Sequence, residues 1–152
     1  MLWRYAQKSE FSQVIAAVAF SFAAMTFETF QHVPITEELL RHVWEGETDL
    51  TKGGHRFGLG REGKTEFPEH WDVVILRLAI NLTLASPQAI RVKSPYIYCD
   101  RVVANVLMRV RLIASGNEHR AVSAYPICGD GVARNQAGKR VLLPLDFFRL
   151  ET

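Results

Sequence analysis

The chain lacks most of the features that assign a protein to a class at a glance. Cysteine is scarce: two residues, Cys99 and Cys128, in a chain of 152. That is too few for a disulfide framework, and the spacing forms no zinc motif. The pair reads as two small buried apolar side chains. No excess of one charge sign is present, since 18 Lys and Arg oppose 16 Asp and Glu for a net charge of +2. This balance permits an anionic partner but does not demand one, so any nucleic-acid argument must come from local sites. Repeats and low-complexity tracts are also missing. The one long uncharged stretch, 11–27, is slightly short for a bilayer span and carries Ser12, Gln13, Ser21 and Thr26. It starts after Arg4, Lys8 and Glu10, without a clear small-residue cleavage site. The stretch reads as a helix that is buried or faces a partner, ahead of membrane contact.

What remains is an ordinary globular composition, 48% hydrophobic and 22% charged, in a length that fits one domain with a real core. Ser9 is placed to cap a helix reaching about Gln31, and Pro34 interrupts it. Thr36 then caps a second helix, with Glu37 and Glu38 in the first turn, where carboxylates suit the helix dipole, and with Gly46 as its stop. Residues 46–66 follow as an irregular loop holding Gly46, Gly53, Gly54, Gly58, Gly60 and Gly63. A loop of about 20 residues inside a small domain usually serves function. Pro68 suits the first turn of a helix from Glu69 to about Ala85. That helix is apolar almost all round, with Arg77 and Asn81 as its polar line, which predicts burial under a sheet. Beyond Pro87 the pattern alternates. Strands are expected at 89–93, 96–104, 106–114 and 120–127, with Ser115-Gly116-Asn117 as a hairpin tip. Residues 129–139 read as a turn region and 140–145 as a final strand. The expected class is α+β: N-terminal helices packed on a twisted antiparallel sheet.

One motif invites a nucleotide-binding reading and fails on context. Gly58-Leu-Gly-Arg-Glu-Gly63-Lys64-Thr65 matches the phosphate-loop pattern letter for letter. That pattern acts only between a buried strand and a helix, where backbone amides cradle phosphates. Here Lys52-Gly-Gly-His-Arg-Phe57 precedes it, which is no buried strand, and Pro68 follows too soon for a helix to start at Lys64.

The constellation that survives is His42-Val-Trp-Glu-Gly46, then Gly53-Gly54-His55-Arg56-Phe57-Gly58, then Gly63-Lys64-Thr65-Glu66-Phe67-Pro68 with Trp71, and finally Ser123-Ala-Tyr125-Pro126. It joins two histidines, a glycine loop, several cations and two hydroxyls. No carboxylate cluster accompanies the histidines, so no metal site is expected. Two imidazoles of which one titrates near neutrality are what general acid–base chemistry needs. His32, His70 and His119 stand apart and read as ordinary hydrogen-bonded histidines.

Residues 42–126 resemble the bacterial EndoU nuclease domain found at the C-terminus of polymorphic and contact-dependent inhibition toxins. That family shows a histidine at a helix end, a G-G-H segment, G-K-T-x-F-P with a tryptophan soon after, and a closing [ST]-A-[YF]-P strand. Ser123 stands where threonine is common, and the hydroxyl is kept. The resemblance covers more than half the chain and leaves 1–35 outside it, as an N-terminal helical segment ahead of a ribonuclease domain at 36–152.

The resemblance implies a fold like that of the barnase–colicin–RelE group of toxin ribonucleases. It implies cleavage of RNA, with transfer RNA one candidate target, by attack of the ribose 2′-hydroxyl, giving 2′,3′-cyclic phosphate and 5′-hydroxyl ends. DNA, lacking that hydroxyl, is then no substrate. His42 and His55 take the catalytic positions, with Ser123 and Tyr125 as the hydroxyl pair, and no cofactor is involved. Substrate-binding candidates are Arg56, Lys64, Thr65, Arg109 and Arg111; the last two share a strand face by their spacing. Two working imidazoles predict a bell-shaped pH profile with both limbs near neutrality. The resemblance also implies a secreted or contact-delivered effector acting in the target-cell cytoplasm, and a cognate acidic immunity protein over the 46–66 loop.

Overall fold

The computed structural model describes residues 30–146. The helix expected from Ser9 and the apolar stretch 11–27 lie outside the described residues. The first described helix, α1 (Glu37–Trp44), is built as its sequence dictates. Thr36 is extended at φ −85 and ψ 158, and its hydroxyl accepts the Leu39 N–H at 3.1 Å. Glu37 and Glu38 fill the first turn, and Leu39, Leu40 and Val43 form the buried face. Gly46, at φ 78, closes the helix by donating to the Arg41 carbonyl at 3.2 Å. The left-handed conformation there favours glycine.

The second helix, α2 (Val73–Ala85), starts later than Pro68 suggested. Asp72 is its cap: it is extended, and its carboxylate accepts the Ile75 N–H at 2.9 Å. Pro68 instead opens a turn, closed by the Trp71 N–H on the Pro68 carbonyl at 3.0 Å. That turn lets Trp71 lie flat against Phe67, with ring centroids 5.2 Å apart and planes 13° from parallel. The expected burial of α2 holds on one side only. Leu76, Ala79, Ile80, Thr83 and Leu84 are buried, whereas Val74, Leu78 and Leu82 are exposed among the described residues. A helix on one sheet has one face to bury. Arg77 anchors the outer side through the Ile35 carbonyl and the Glu37 carboxylate.

The fold class is α+β, with the helices against antiparallel sheet. Strands β2 (Ala89–Lys93), β3 (Tyr96–Val103), β4 (Val106–Ser115) and β5 (Glu118–Gly129) pair in sequence order. The hairpin tip falls where Gly116 takes φ 62. A second, three-stranded sheet was not foreseen. It joins β1 (Thr65–Glu66), β6 (Ala133–Gln136) and β7 (Lys139–Leu142) in the order β1-β6-β7. Strand β6 thus occupies a region expected as turn, and β7 lies at 139–142 rather than 140–145.

Strand alternation in β4 divides the sheet's two faces. Val106, Met108, Val110 and Leu112 are fully buried and join one core with Leu76 and Ile80 of α2 and Leu40 and Val43 of α1. Arg109 and Arg111 point the other way. Both cysteines are free and buried, and burial, aided by the Asp100 charge, pushes the Cys99 thiol up to about 12. No helix among the described residues is long and apolar enough to cross a membrane.

Candidate active site

The polar side of the sheet opens into a cleft of about 570 Å³. Its floor is a two-by-two block fixed by strand register: Arg109 opposite Tyr125, and Arg111 opposite Ser123. His42, from the last turn of α1, and His55, Lys64 and Thr65, from the glycine loop, form the walls. Residues from position 42 to position 125 thereby meet in one place.

The loop is held against α1 by the helix's own unused carbonyls. Gly54, His55 and Arg56 donate their N–H groups to His42, Val43 and Trp44 at 3.1, 2.8 and 3.1 Å. The last carbonyls of a helix have no partner within it, so a returning chain finds ready acceptors. Gly53 passes closest, at φ 62, and a Cβ there would run into the His42 carbonyl oxygen. Inside the loop the Arg61 guanidinium donates to the carbonyls of Glu45, Glu47 and Lys52 at 3.0, 2.9 and 3.2 Å. Gly46 and Gly54, both at φ 78, also leave room for it: a Cβ on either would lie 2.5 or 2.6 Å from the guanidinium group.

Glu66 locks the far half of the loop. It is 1% exposed and accepts from the backbone N–H of Gly58 at 3.1 Å, that of Gly60 at 2.8 Å, and the Asn135 amide at 2.8 Å. Burial alone would raise its pKa, but these bonds and the Arg140 charge win and hold the carboxyl below its ordinary range. Of the amides that a phosphate loop would offer to a nucleotide, those of Gly58 and Gly60 are thus taken by the chain's own carboxylate, and those of Gly63 and Lys64 by the Asn135 and Arg61 carbonyls. Gly58–Thr65 also leads into a strand, not a helix, which agrees with rejecting the nucleotide-binding reading.

His55 is 5% exposed, stacked on Tyr125 with centroids 5.7 Å apart and edge-on to Phe67 at 6.4 Å. Its Nδ1 lies 2.7 Å from the Thr65 carbonyl oxygen. A carbonyl only accepts, so Nδ1 carries the hydrogen and Nε2 is left with a free lone pair. Burial lowers the imidazole pKa to about 4; the Thr65 bond opposes this, and repulsion from Lys64, His42 and Arg61 adds to it. His42 is half-buried, and its Nδ1 bonds the Glu47 carboxylate at 2.9 Å. With Nδ1 engaged, Nε2 is the nitrogen left for chemistry on this ring too.

The cations differ in how free they are. Asp100 grips Arg109 through two bonds of 2.8 and 2.7 Å; that pairing raises the guanidinium's pKa against the effect of burial. Lys64 donates to the Thr51 carbonyl, and burial, with Arg61 and Arg111 nearby, lowers its pKa. The Nε of Arg111 is buried and bonds to nothing among the described residues. An unsatisfied buried donor facing a cleft is costly unless a ligand completes it.

Of the residues expected from sequence, His42, His55, Lys64, Thr65, Arg109, Arg111, Ser123 and Tyr125 all line the cleft. Arg56 does not; it turns outward to pair with Glu45 at 3.2 Å. Lys52, a loop cation visible in the sequence, lines the cleft too, and Thr51 and Arg134 do so without having been singled out. Arg134 arrives through β6, in register with Thr65, and no local pattern announces that pairing. His119 packs edge-on against Phe30 at 5.6 Å, a structural role. Among the described residues no group of three His, Cys, Asp or Glu side chains is placed to hold a metal. Comparison with protein-family models, curated proteins and solved structures finds no match to this chain.

Proposed function

We propose that the protein is an endoribonuclease of the EndoU kind, working by histidine acid–base catalysis. The observation that carries this reading is the meeting in one cleft of two imidazoles, two hydroxyls and a guanidinium whose buried Nε has no partner among the described residues. His55 is the base. Its Nε2 lone pair takes the proton of the ribose 2′-hydroxyl as that oxygen attacks the adjacent phosphorus. His42 is the acid. Its Nε2–H protonates the departing 5′-oxygen while Glu47 supports the ring. The bond from phosphorus to the 5′-oxygen breaks, and a 2′,3′-cyclic phosphate and a 5′-hydroxyl remain. Arg111 and Lys64 meet the charge that grows on the phosphate oxygens, and such aimed donors usually supply the largest catalytic effect. Tyr125, stacked on His55, keeps the base in plane.

Incubating the purified protein with total RNA in EDTA tests the reading. Fragments ending in cyclic phosphate and 5′-hydroxyl are the expected result. Intact RNA that nevertheless binds the protein would make the chain a silent RNA-binding domain.

The depressed basicity of His55 would move one limb of the bell-shaped profile, for which both limbs near neutrality are expected from sequence, to lower pH. In the free enzyme the base is deprotonated down to about pH 4, so kcat/KM keeps its value well below neutrality before falling. The acid limb of kcat lies higher, because a bound phosphodiester anion favours the imidazolium. An acid limb of kcat/KM near the ordinary histidine value of 6.5 would remove His55 from the role of base.

A further inference from the structure

The polar sheet face does not end at the cleft. Register carries it outward in rows across the strands: Arg111 on β4 faces Tyr98 on β3, which faces Arg91 on β2. The next row holds Tyr96 and, on β2, Lys93. The Tyr98 ring lies between two guanidinium groups, Arg91 at 5.2 Å and Arg109 at 5.6 Å, and Tyr96 carries Arg111 at 5.0 Å. Rings in these positions fix the planes of the guanidinium groups; Asp100 holds Arg109 and the Arg111 Nε is buried, whereas Arg91 is exposed.

Alignment with the cleft, more than lack of ion pairing, separates the cations of this face from the rest of the surface, since Arg41, Arg120 and Lys139 elsewhere are also exposed and make no ion pair among the described residues. Arg56, Arg77 and Arg140 each pair with a glutamate. Among the described residues Arg91, Lys93 and Arg111 make no ion pair, and the carboxylate nearest them on this face, Asp100, is spent on Arg109. Unpaired cations in a line are costly self-repulsion unless an anion crosses them. Neighbouring strands lie about 4.8 Å apart, so Arg111 and Arg91, two strands apart, stand roughly 10 Å from each other. A line one residue wide matches one polyanionic backbone rather than the two of a duplex.

We infer that a single strand of RNA leaves the cleft across β4, β3 and β2, its phosphates held by Arg91 and Lys93 beyond the reacting phosphate on Arg111. The inference rests on the ribonuclease reading for its substrate class, and it gives that substrate a binding site outside the catalytic cleft.

The test is equilibrium binding of a fluorescent 2′-O-methyl oligonucleotide of about 10 nucleotides over a range of salt concentrations. Methylation removes the attacking hydroxyl, so binding is measured without cleavage. Each phosphate contact on a single strand contributes about 0.7 to the slope of log K against log salt. The double variant Arg91→Gln, Lys93→Gln should therefore show a slope shallower by about 1.4, with an unchanged melting temperature because both side chains are exposed. A slope equal to that of the parent, or a parent that does not bind, overturns the track. Cleavage of ordinary RNA with an unchanged slope sinks the track alone. The shallower slope with no cleavage of ordinary RNA sinks the nuclease reading alone.

Discussion

Replacing His55 with asparagine should slow RNA cleavage by about 10²–10⁴-fold, the usual contribution of one positioned base, while the domain stays folded. Asparagine keeps a donor for the Thr65 carbonyl but offers no basic nitrogen. The same substitution should change how stability responds to acid. Folded His55 has a pKa of about 4 against an ordinary 6.5, so protons bind the unfolded chain first. Its contribution to stability is complete above about pH 6.5 and declines as pH falls towards 4. At about 1.4 kcal/mol per unit, the wild-type protein loses about 3 kcal/mol across that window. The asparagine variant should lose far less between pH 6.5 and about 5.5, above most of the titration of unfolded carboxylates, whose ordinary value for a residue such as Glu66 is 4.5. Denaturant melts of both proteins over this pH range measure the difference. Parallel stability curves would show that His55 does not sit neutral, and near-normal cleavage would remove it from the mechanism.

Asp100→Ala should destabilise the fold by about 3–5 kcal/mol, the usual cost of stranding one partner of a buried ion pair. Asp100 is 3% exposed, and its two bonds to Arg109 are the whole of that guanidinium's ion pairing. Removing both partners should cost much less, since an apolar pair of similar bulk avoids the desolvation penalty. Adding Arg109→Met to Asp100→Ala is therefore expected to restore part of the lost stability. Additive losses in the double variant would show that the two residues contribute separately.

Much of the site was legible in the sequence because its parts carry local signatures. Thr36 and Gly46 fix the ends of α1, which places His42 in its last turn. Alternation in 106–114 and 120–127 sets Arg109, Arg111, Ser123 and Tyr125 on one sheet face. The glycine loop was visible as a loop, but not what shapes it: Arg61 and Glu66 act on backbone groups that sequence does not display. Strand β6 was missed for a related reason. Ala133 and Asn135 point inward and Arg134 and Gln136 outward, an alternation without β-branched or aromatic residues, set between Gly131 and Gly138. Only its partner 69 residues away, Thr65, makes it a strand, and so Arg134 reached the cleft unannounced. Arg56 erred in the other direction. It lies beside a catalytic candidate in sequence, yet Glu45 on the adjoining turn claims it. The false start of α2 at Pro68 follows from weighing proline above Asp72, whose side chain can satisfy helix donors that a proline cannot.

The outer strand of the larger sheet has one further consequence. Among the described residues strand β2 pairs with β3 alone, so its other side presents backbone donors and acceptors that no described strand takes up. Such a rim invites another chain to add a strand, and charged side chains are the common guard against it. Val92, 70% exposed there, would favour that docking, whereas Arg91 and Lys93 on either side of it oppose the approach of a second positively charged rim. The cations inferred to guide RNA therefore also keep the molecules apart. Their neutralisation by a bound polyanion would lift that protection, so crowding of this protein along a long RNA carries its own risk of strand-to-strand aggregation.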